Sequence, residues 1–291
     1  MMRFNAALAR RVALILGLSF PAFSNALADG RAVLPPKWMV EAYLSDALVK
    51  PSRDDIARAI IPGLGMVPAF ISGAASDPPN YVGTGTKADG WSGPTSAALP
   101  SGWQSGDLHL LFLALRASSG DPRISTPSGW TSQYSDLLNT VSGYNVSLQI
   151  FSRIAQGGDS AVSGILVNIG VAYVVGYRGA NASSPVEAAA GAKTQTGAAS
   201  YDYQNITTLG INRRVVEAFV AYRAAASATT GTPDASFTSR ADGASVALLD
   251  SVSMQIEDKV LPTAGAVGSL THGFSATTSG HLRAALAILP A

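Results

Sequence analysis

The sequence contains no cysteine in its 291 residues. Disulfide bonds, thiolate metal sites and cysteine nucleophiles are therefore excluded. The lack of disulfides leaves the compartment open, because an exported protein with a large core or with oligomeric contacts needs none. Phosphate-binding loops, dinucleotide fingerprints, His-Glu-x-x-His motifs and calcium loops are missing as well. The sequence predicts neither a cofactor nor a metal site.

Charge is also scarce. Charged residues make up 13% of the chain and hydrophobic residues 47%, with a formal net charge of +1. Nucleic-acid-binding proteins usually carry a basic patch or stripe, so this balance argues against a nucleic-acid partner. A surface with so few charged residues suits an exported protein, or a subunit fixed among neighbours in an assembly, better than a freely diffusing enzyme.

The most informative feature that is present is an internal repeat. An apolar segment from Leu108 to Ala117 is followed by a Thr-Pro turn, by Val146 to Ile150 and by an apolar run that ends at Arg178. About 106 residues later the same landmarks return in the same order. They are Val215 to Ala224, Thr232-Pro233, Val252 to Ile256, and Leu282 to Leu289.

These repeats predict a mainly β protein. We expect one antiparallel β-sandwich over 76–291, jelly-roll-like, with repeats at about 104–180 and 211–290. Two small sandwiches in succession are the alternative. Several strands, such as Leu110 to Leu115, are apolar at consecutive positions, which predicts burial on both faces, by the core and by a subunit or the N-terminal arm. Uncovered apolar surface in turn predicts self-association.

Residues 1–75 form a predicted N-terminal arm. Basic residues precede the apolar stretch from Val12 to Phe20, and small residues follow up to Ala28, which is the layout of a secretory signal peptide over 1–28. The other interpretation is a retained amphipathic helix that docks onto a partner. The stretch is too short to span a bilayer as a helix.

Short helices are predicted within 36–61. The first carries an apolar stripe at helical spacing, and it is too short to be stable without tertiary packing. We therefore predict that the stripe attaches the chain to a neighbour. Its residues are Trp38, Met39, Ala42, Tyr43 and Ala47.

Residues with catalytic potential are few. His109 lies within an apolar strand, which favours a core or subunit-contact histidine. His272 and His281 flank a turn, where they could face each other across a hairpin, with no acidic ligand nearby in sequence. Gly158-Asp159-Ser160 lacks the surroundings of a serine nucleophile and is interpreted as a hairpin turn. The carboxylates are scattered, so nothing predicts the facing pair of a glycosidase.

Aromatic residues in loops are the remaining candidates for ligand contact. Tyr201, Tyr203 and Trp91 lie in polar or glycine-rich segments, where flat rings can hold a sugar. Trp103 and Trp130 each follow a Pro-Ser-Gly turn, and we expect them to plug the ends of the sandwich.

The strings Gly106 to Ala114, Thr126 to Thr131, Leu148 to Ala155 and Val171 to Gly179 resemble a β-rich family of structural proteins from tailed bacteriophages. The resemblance spans about Trp103 to Pro290, and its motifs are structural. It implies a non-enzymatic, commonly oligomeric virion component, such as a tail-associated, fibre or decoration protein. Its partners would be other virion proteins, copies of itself and a host-surface glycan. The alternative is a secreted or periplasmic carbohydrate- or surface-binding module, cleaved near Ala28.

Overall fold

The computed structural model describes residues 76–90, 95–140, 143–165, 169–202, 206–247, 249–267 and 271–291. The backbone alone is described at 201–202. All the regular elements in these ranges are strands. Accordingly, they include no helix with the length and apolarity needed to cross a membrane. The N-terminal arm and its apolar stripe lie outside the described residues.

The first half of the described chain contributes six strands. They are β1 (Asn80–Thr84), β2 (Ala88–Gly90), β3 (Leu108–Ala117), β4 (Thr131–Asn139), β5 (Asn145–Ile154) and β6 (Ile169–Arg178).

The second half contributes five long strands and five short ones. The long strands are β7 (Val186–Thr194), β10 (Arg213–Arg223), β12 (Thr238–Val246), β13 (Ser251–Leu261) and β16 (Gly280–Ile288). The short ones are β8 (Ser200–Asp202), β9 (Thr207–Thr208), β11 (Gly231–Thr232), β14 (Gly265–Ala266) and β15 (Thr271–Phe274).

Each repeat supplies four strands of one antiparallel sheet, and the two sheets have the same strand order. Sheet 1 runs β1-β6-β3-β5-β4, with β2 also paired to β6. Sheet 2 runs β7-β16-β10-β13-β12. Thus β3 corresponds to β10, β4 to β12, β5 to β13 and β6 to β16, while β7 takes the place of β1 and β2. The predicted strand equivalence is found in the structure.

Even the irregularities match. On β1 the register shifts around Val82, and on β7 it shifts around Glu187, at the equivalent place. On β4 it shifts around Gln133, and on β12 around Arg240. A bulge bends a strand and increases its twist. Matched bulges therefore give the two sheets the same local shape.

The residue-level alignment needs a correction of one position. The sequence pattern placed Leu108 on Val215, but the pairing places it on Arg214, because Leu108 faces Ile154 and Arg214 faces Val260. The side-chain period of a strand is two, so a shift of one residue would exchange the core face for the outer face.

One core lies between the sheets. Inner-face side chains of both repeats form a single cluster, with Phe112 and Ile150 from sheet 1 and Val220 and Met254 from sheet 2 among its members. The structure is therefore one sandwich of two facing sheets. A jelly roll passes successive strands from one sheet to the other, whereas here the strands of each repeat stay in one sheet, so the jelly-roll-like detail of the prediction is not found.

Both sheets are also covered on their outer faces, which explains their consecutive apolar positions. Trp130, Val162 and Ile165 from connecting segments cover sheet 1. Ile206 and Phe274 are among the residues that cover sheet 2. The apolar runs predict cover by a subunit or by the N-terminal arm, but segments of the sandwich itself cover these faces. Uncovered apolar faces on these sheets therefore no longer support self-association, which stays a prediction.

Candidate functional site

The predicted ligand-contact aromatics are only partly visible. Tyr201 lies on β8, opposite His272 of β15, and its side chain is not described. Trp91 and Tyr203 lie outside the described residues, as do the residues of the attachment stripe. These predictions stay untested.

The two tryptophans expected at the ends of the sandwich pack on the outer face of sheet 1 instead. Trp130 is buried in the outer cluster of sheet 1, with the Arg153 guanidinium 5.5 Å from its ring centre. Trp103 is half-buried and contacts His109 edge-on, with ring centres 5.4 Å apart. His109 is fully buried, and burial lowers its pKa. Its interpretation as a core histidine is confirmed.

A layer of ionisable side chains covers the outer face of sheet 2. Glu217 on β10 lies opposite Glu257 on β13, and Arg283 lies opposite Phe219. His272 stacks on Phe219 with ring centres 3.8 Å apart. The five ionisable members are Glu217, Glu257, His272, His281 and Arg283, and each is at least nine-tenths buried.

The fold supplies the acidic neighbour that sequence spacing did not show. Glu257 Oε2 lies 3.8 Å from His272 Nδ1. His272 and His281 are also close enough for His281 to lower the pKa of His272. Even so, no group of three or more His, Asp or Glu side chains suited to holding a metal ion is found in the described part of the chain.

Burial keeps this layer mostly uncharged. It raises the pKa of Glu217 to about 7 and that of Glu257 to about 8, where the neighbouring Glu217 carboxylate adds to the effect. It lowers the pKa of His272 to about 3 and that of His281 to about 4, where Arg283 adds to it. Near neutral pH the contact between Glu257 and His272 therefore joins two neutral groups, and it is not a salt bridge.

Sequence reasoning missed Glu217 and Glu257 because they are 40 positions apart in the chain and become neighbours only through strand pairing. One signal was available in the repeat. Glu257 is the counterpart of the apolar Phe151, so an acidic residue interrupts the apolar strand pattern in the second repeat but not in the first. The side chains of this buried layer can gain or lose protons as the pH changes. A substrate has no access to its carboxylates, because they are at most 3% exposed.

An accessible groove lies at the end of the sandwich where β4 and β5 meet the segment leading into β7. Its volume is about 510 Å³, and Gln133, Ser152, Arg153, Ser183 and Val186 are among its lining residues. A second pocket of about 330 Å³ adjoins it, and the two share Arg153 and Asp159. The combined space is in the range of small-molecule sites.

An ion pair between Arg153 and Asp159 divides the groove from this second pocket. Asp159 also accepts a hydrogen bond of 2.9 Å from the backbone N–H of Gln156. Gly158 has a φ of 92°, a left-handed conformation that favours glycine and closes the turn. Gly158-Asp159-Ser160 is thus a turn, as predicted, but it does not close a hairpin, because β5 and β6 on either side of it do not pair with each other. Its carboxylate is a fixed part of an open surface.

A scan of protein-family models, a search of curated proteins and a search of solved structures each find no match for this chain.

Proposed function

We propose that this chain is a non-enzymatic structural component of a bacteriophage particle, a tail-associated, fibre or decoration protein. The β-sandwich forms its body, and the N-terminal arm, residues 1–75, attaches it to other virion proteins. The expected location is the virion. The proposal starts from the resemblance between 103–290 and β-rich phage structural proteins.

The observation that best supports this role is the closure of the sandwich by its own chain. Exposed strand edges are templates for unwanted pairing. Here Lys193 Nζ on β7 donates to the backbone oxygen of Leu137 on the edge strand β4, at 2.8 Å. Lys87 Nζ donates to the equivalent oxygen of Ala244 on the edge strand β12, at 2.9 Å. A body with covered faces and bridged edges suits repeated display on a particle.

Attachment through the N-terminal arm stays a prediction from sequence. Deleting Met1 to Gly73 should leave a folded sandwich, measured by circular dichroism, that no longer enters particles. If the truncated chain unfolds, the arm belongs to the core and is not an attachment device.

The direct test of the function is fractionation of cultures that produce the chain. Antibodies against the sandwich should detect the protein in density-purified particles, and mass spectrometry there should show Met1 to Ala28 retained. Detection only in the particle-free secreted fraction, with cleavage near Ala28, would instead support the alternative of a secreted or periplasmic carbohydrate- or surface-binding module.

A further inference from the structure

The groove occupies a place that is filled in the other half of the molecule. At that other place the Asp258 carboxylate accepts hydrogen bonds from Arg214 Nη1 at 2.9 Å, Arg240 Nη2 at 2.8 Å and Tyr177 Oη at 3.0 Å. The Arg240 guanidinium lies 4.1 Å from the ring centre of Tyr81. Five large side chains therefore pack this end of the sandwich.

Strand pairing identifies the counterparts of these five side chains, and each counterpart is smaller. Ser152 stands for Asp258, Gln133 for Arg240, Leu108 for Arg214, Val186 for Tyr81 and Ile288 for Tyr177. The backbone plan is the same at both ends. Gln133, Ser152 and Val186 line the groove, which lies where this end of the sandwich lacks the side-chain volume that fills the other end.

The polar groups around the groove are held in place before any ligand arrives. Gln133 Nε2 donates to Ser152 Oγ at 2.7 Å. On the opposite wall, Asn181 Oδ1 accepts from the backbone N–H groups of Ser183 and Ser184 at 3.0 and 2.9 Å. That cap fixes the segment while both serine side chains stay exposed. Such preorganisation lowers the entropic cost of binding.

The charges indicate which class of ligand fits. Arg153 and Asp159 neutralise each other. The Asp159 carboxylate would repel an anion bound between them, and the Arg153 guanidinium would repel a cation. A vicinal diol suits both groups, because one hydroxyl can accept from Arg153 while its neighbour donates to Asp159. The second pocket extends the surface beyond the ion pair, with room for more than one sugar ring.

We infer that this groove binds a neutral oligosaccharide across the Arg153–Asp159 pair. The site differs from the aromatic positions singled out in the sequence, and the inference holds whether the sandwich serves a virion or a secreted module.

Two variants of the full-length chain test the site. Asp159→Asn removes the carboxylate, and its matched control is Asp121→Asn, which alters an exposed Asp–Arg pair at 2.6 Å outside the groove. The double variant Gln133→Arg with Val186→Tyr installs the counterparts from the filled end. Circular dichroism checks that each variant is folded.

Calorimetric titrations would use maltohexaose, cellohexaose, mannohexaose and chitohexaose as neutral probes, with hexagalacturonate and inorganic phosphate as charged ones. We expect saturable binding of at least one neutral probe at concentrations of about 1 mM or below. Asp159→Asn should weaken it about tenfold, the filled variant should abolish it, and Asp121→Asn should leave it unchanged.

Three results would overturn the inference. They are no binding by any neutral probe at about 1 mM, undiminished binding by the filled variant, and stronger binding of hexagalacturonate or phosphate than of every neutral probe.

Discussion

The outer faces of the two sheets place different chemistry on equivalent backbone positions. In sheet 1, Leu111 lies opposite Phe151, and both belong to a buried apolar cluster. In sheet 2 the equivalent pair is Glu217 and Glu257, equally buried. The next position repeats the contrast, since Ala172 of β6 corresponds to Arg283 of β16.

Other positions on the same faces keep their residue type. Gln149 in sheet 1 has Gln255 as its counterpart, and Gln149 Oε1 accepts from the backbone N–H of Ile124 at 2.8 Å to hold the covering segment. The cation above the covering aromatic ring also recurs, as Arg153 near Trp130 and as Lys259 near Phe237, each 5.5 Å from the ring centre. The polar layer of sheet 2 therefore replaces apolar residues at a few outer-face positions, while the strand arrangement and other outer-face contacts are the same in both sheets.

This difference makes sheet 2 the more pH-sensitive half, although burial also lowers the pKa of His109 in sheet 1. Because the pKa values of Glu217 and Glu257 are raised on folding, the stability linked to their protonated forms is fully present below about pH 4.3 and is lost as the pH rises through about 7 and 8. Charged neighbours that modify these values are Arg283, Lys259, Asp234 and Asp258.

The two histidines act in the opposite direction. Because folding lowers the pKa values of His272 and His281, their contribution to stability is present above about pH 6.5 and is lost as the pH falls towards 3 to 4. Sheet 2 should therefore be most stable at mildly acidic pH, between these two losses. Sheet 1 has no counterpart of this layer at the equivalent described positions.

The largest expected effect comes from placing a glutamate in sheet 1 at the position equivalent to Glu257. Phe151→Glu should lower the free energy of unfolding by about 4 kcal/mol or more at pH 8, because it removes a buried ring and buries a carboxylate without the arrangement found in sheet 2. Urea unfolding followed by circular dichroism measures the change. The loss should shrink at pH 5, where the carboxyl is more easily neutral. A cost below about 1 kcal/mol would show that the outer face of sheet 1 is not a packed core.

The second effect concerns the filled end of the sandwich. Asp258→Ala should cost about 3 to 5 kcal/mol, since it leaves the buried Arg214 and the partly buried Arg240 without their shared acceptor. Ser152→Ala, at the equivalent position, should cost only about 1 kcal/mol. Thermal unfolding of the two variants side by side measures the difference. Equal costs would contradict the contrast between a filled end and an open groove.

A third prediction replaces the acidic pair by the pair of sheet 1. Glu217→Leu with Glu257→Phe should raise the free energy of unfolding by about 1 to 4 kcal/mol at pH 8, because apolar residues of similar volume avoid the desolvation of buried carboxylates. The gain should fade towards pH 4.5, where the native carboxyls are neutral. Stability measured across this pH range would contradict the interpretation if the gain were independent of pH.

The smallest effect tests the equivalence of the two edges. Lys87→Ala and Lys193→Ala remove the same kind of bridge to β12 and β4. Both side chains are partly exposed, so each change should cost only about 0.5 kcal/mol. Paired thermal melts should give the same shift for both variants. A large loss for one alone would mean that the two edges are not equivalent.

The sequence predicted the order of the long strands well, because a buried strand is recognisable from its own run of apolar residues. Apart from His109 and Glu217, the segments Leu108 to Leu115 and Val215 to Tyr222 are apolar on both faces, and such runs identify strands covered on both sides. Their alignment was wrong by one residue, since an apolar run without alternation does not reveal which side chains face the core. Pairing with β5 and β13 fixes that choice.

The candidate sites were much harder to predict. Glu217 and Glu257 meet only through strand pairing, and the groove depends on a comparison between Val186 and Tyr81, which lie in strands that the repeat alignment did not include. Chemistry of this kind is set by contacts between distant segments. By contrast, the isolated candidates Gly158-Asp159-Ser160 and His109 were interpreted correctly because their immediate neighbours determine a turn and an apolar strand.

The most direct test of the contrast between the sheets is a carboxyl titration by ¹³C NMR. The chain has only four glutamates, so labelled glutamate gives four side-chain carboxyl signals, and Glu217→Gln and Glu257→Gln assign two of them. The buried layer of sheet 2 predicts that these two signals titrate with midpoints of about 7 and 8. Four midpoints near the ordinary glutamate value of about 4.3 would contradict it.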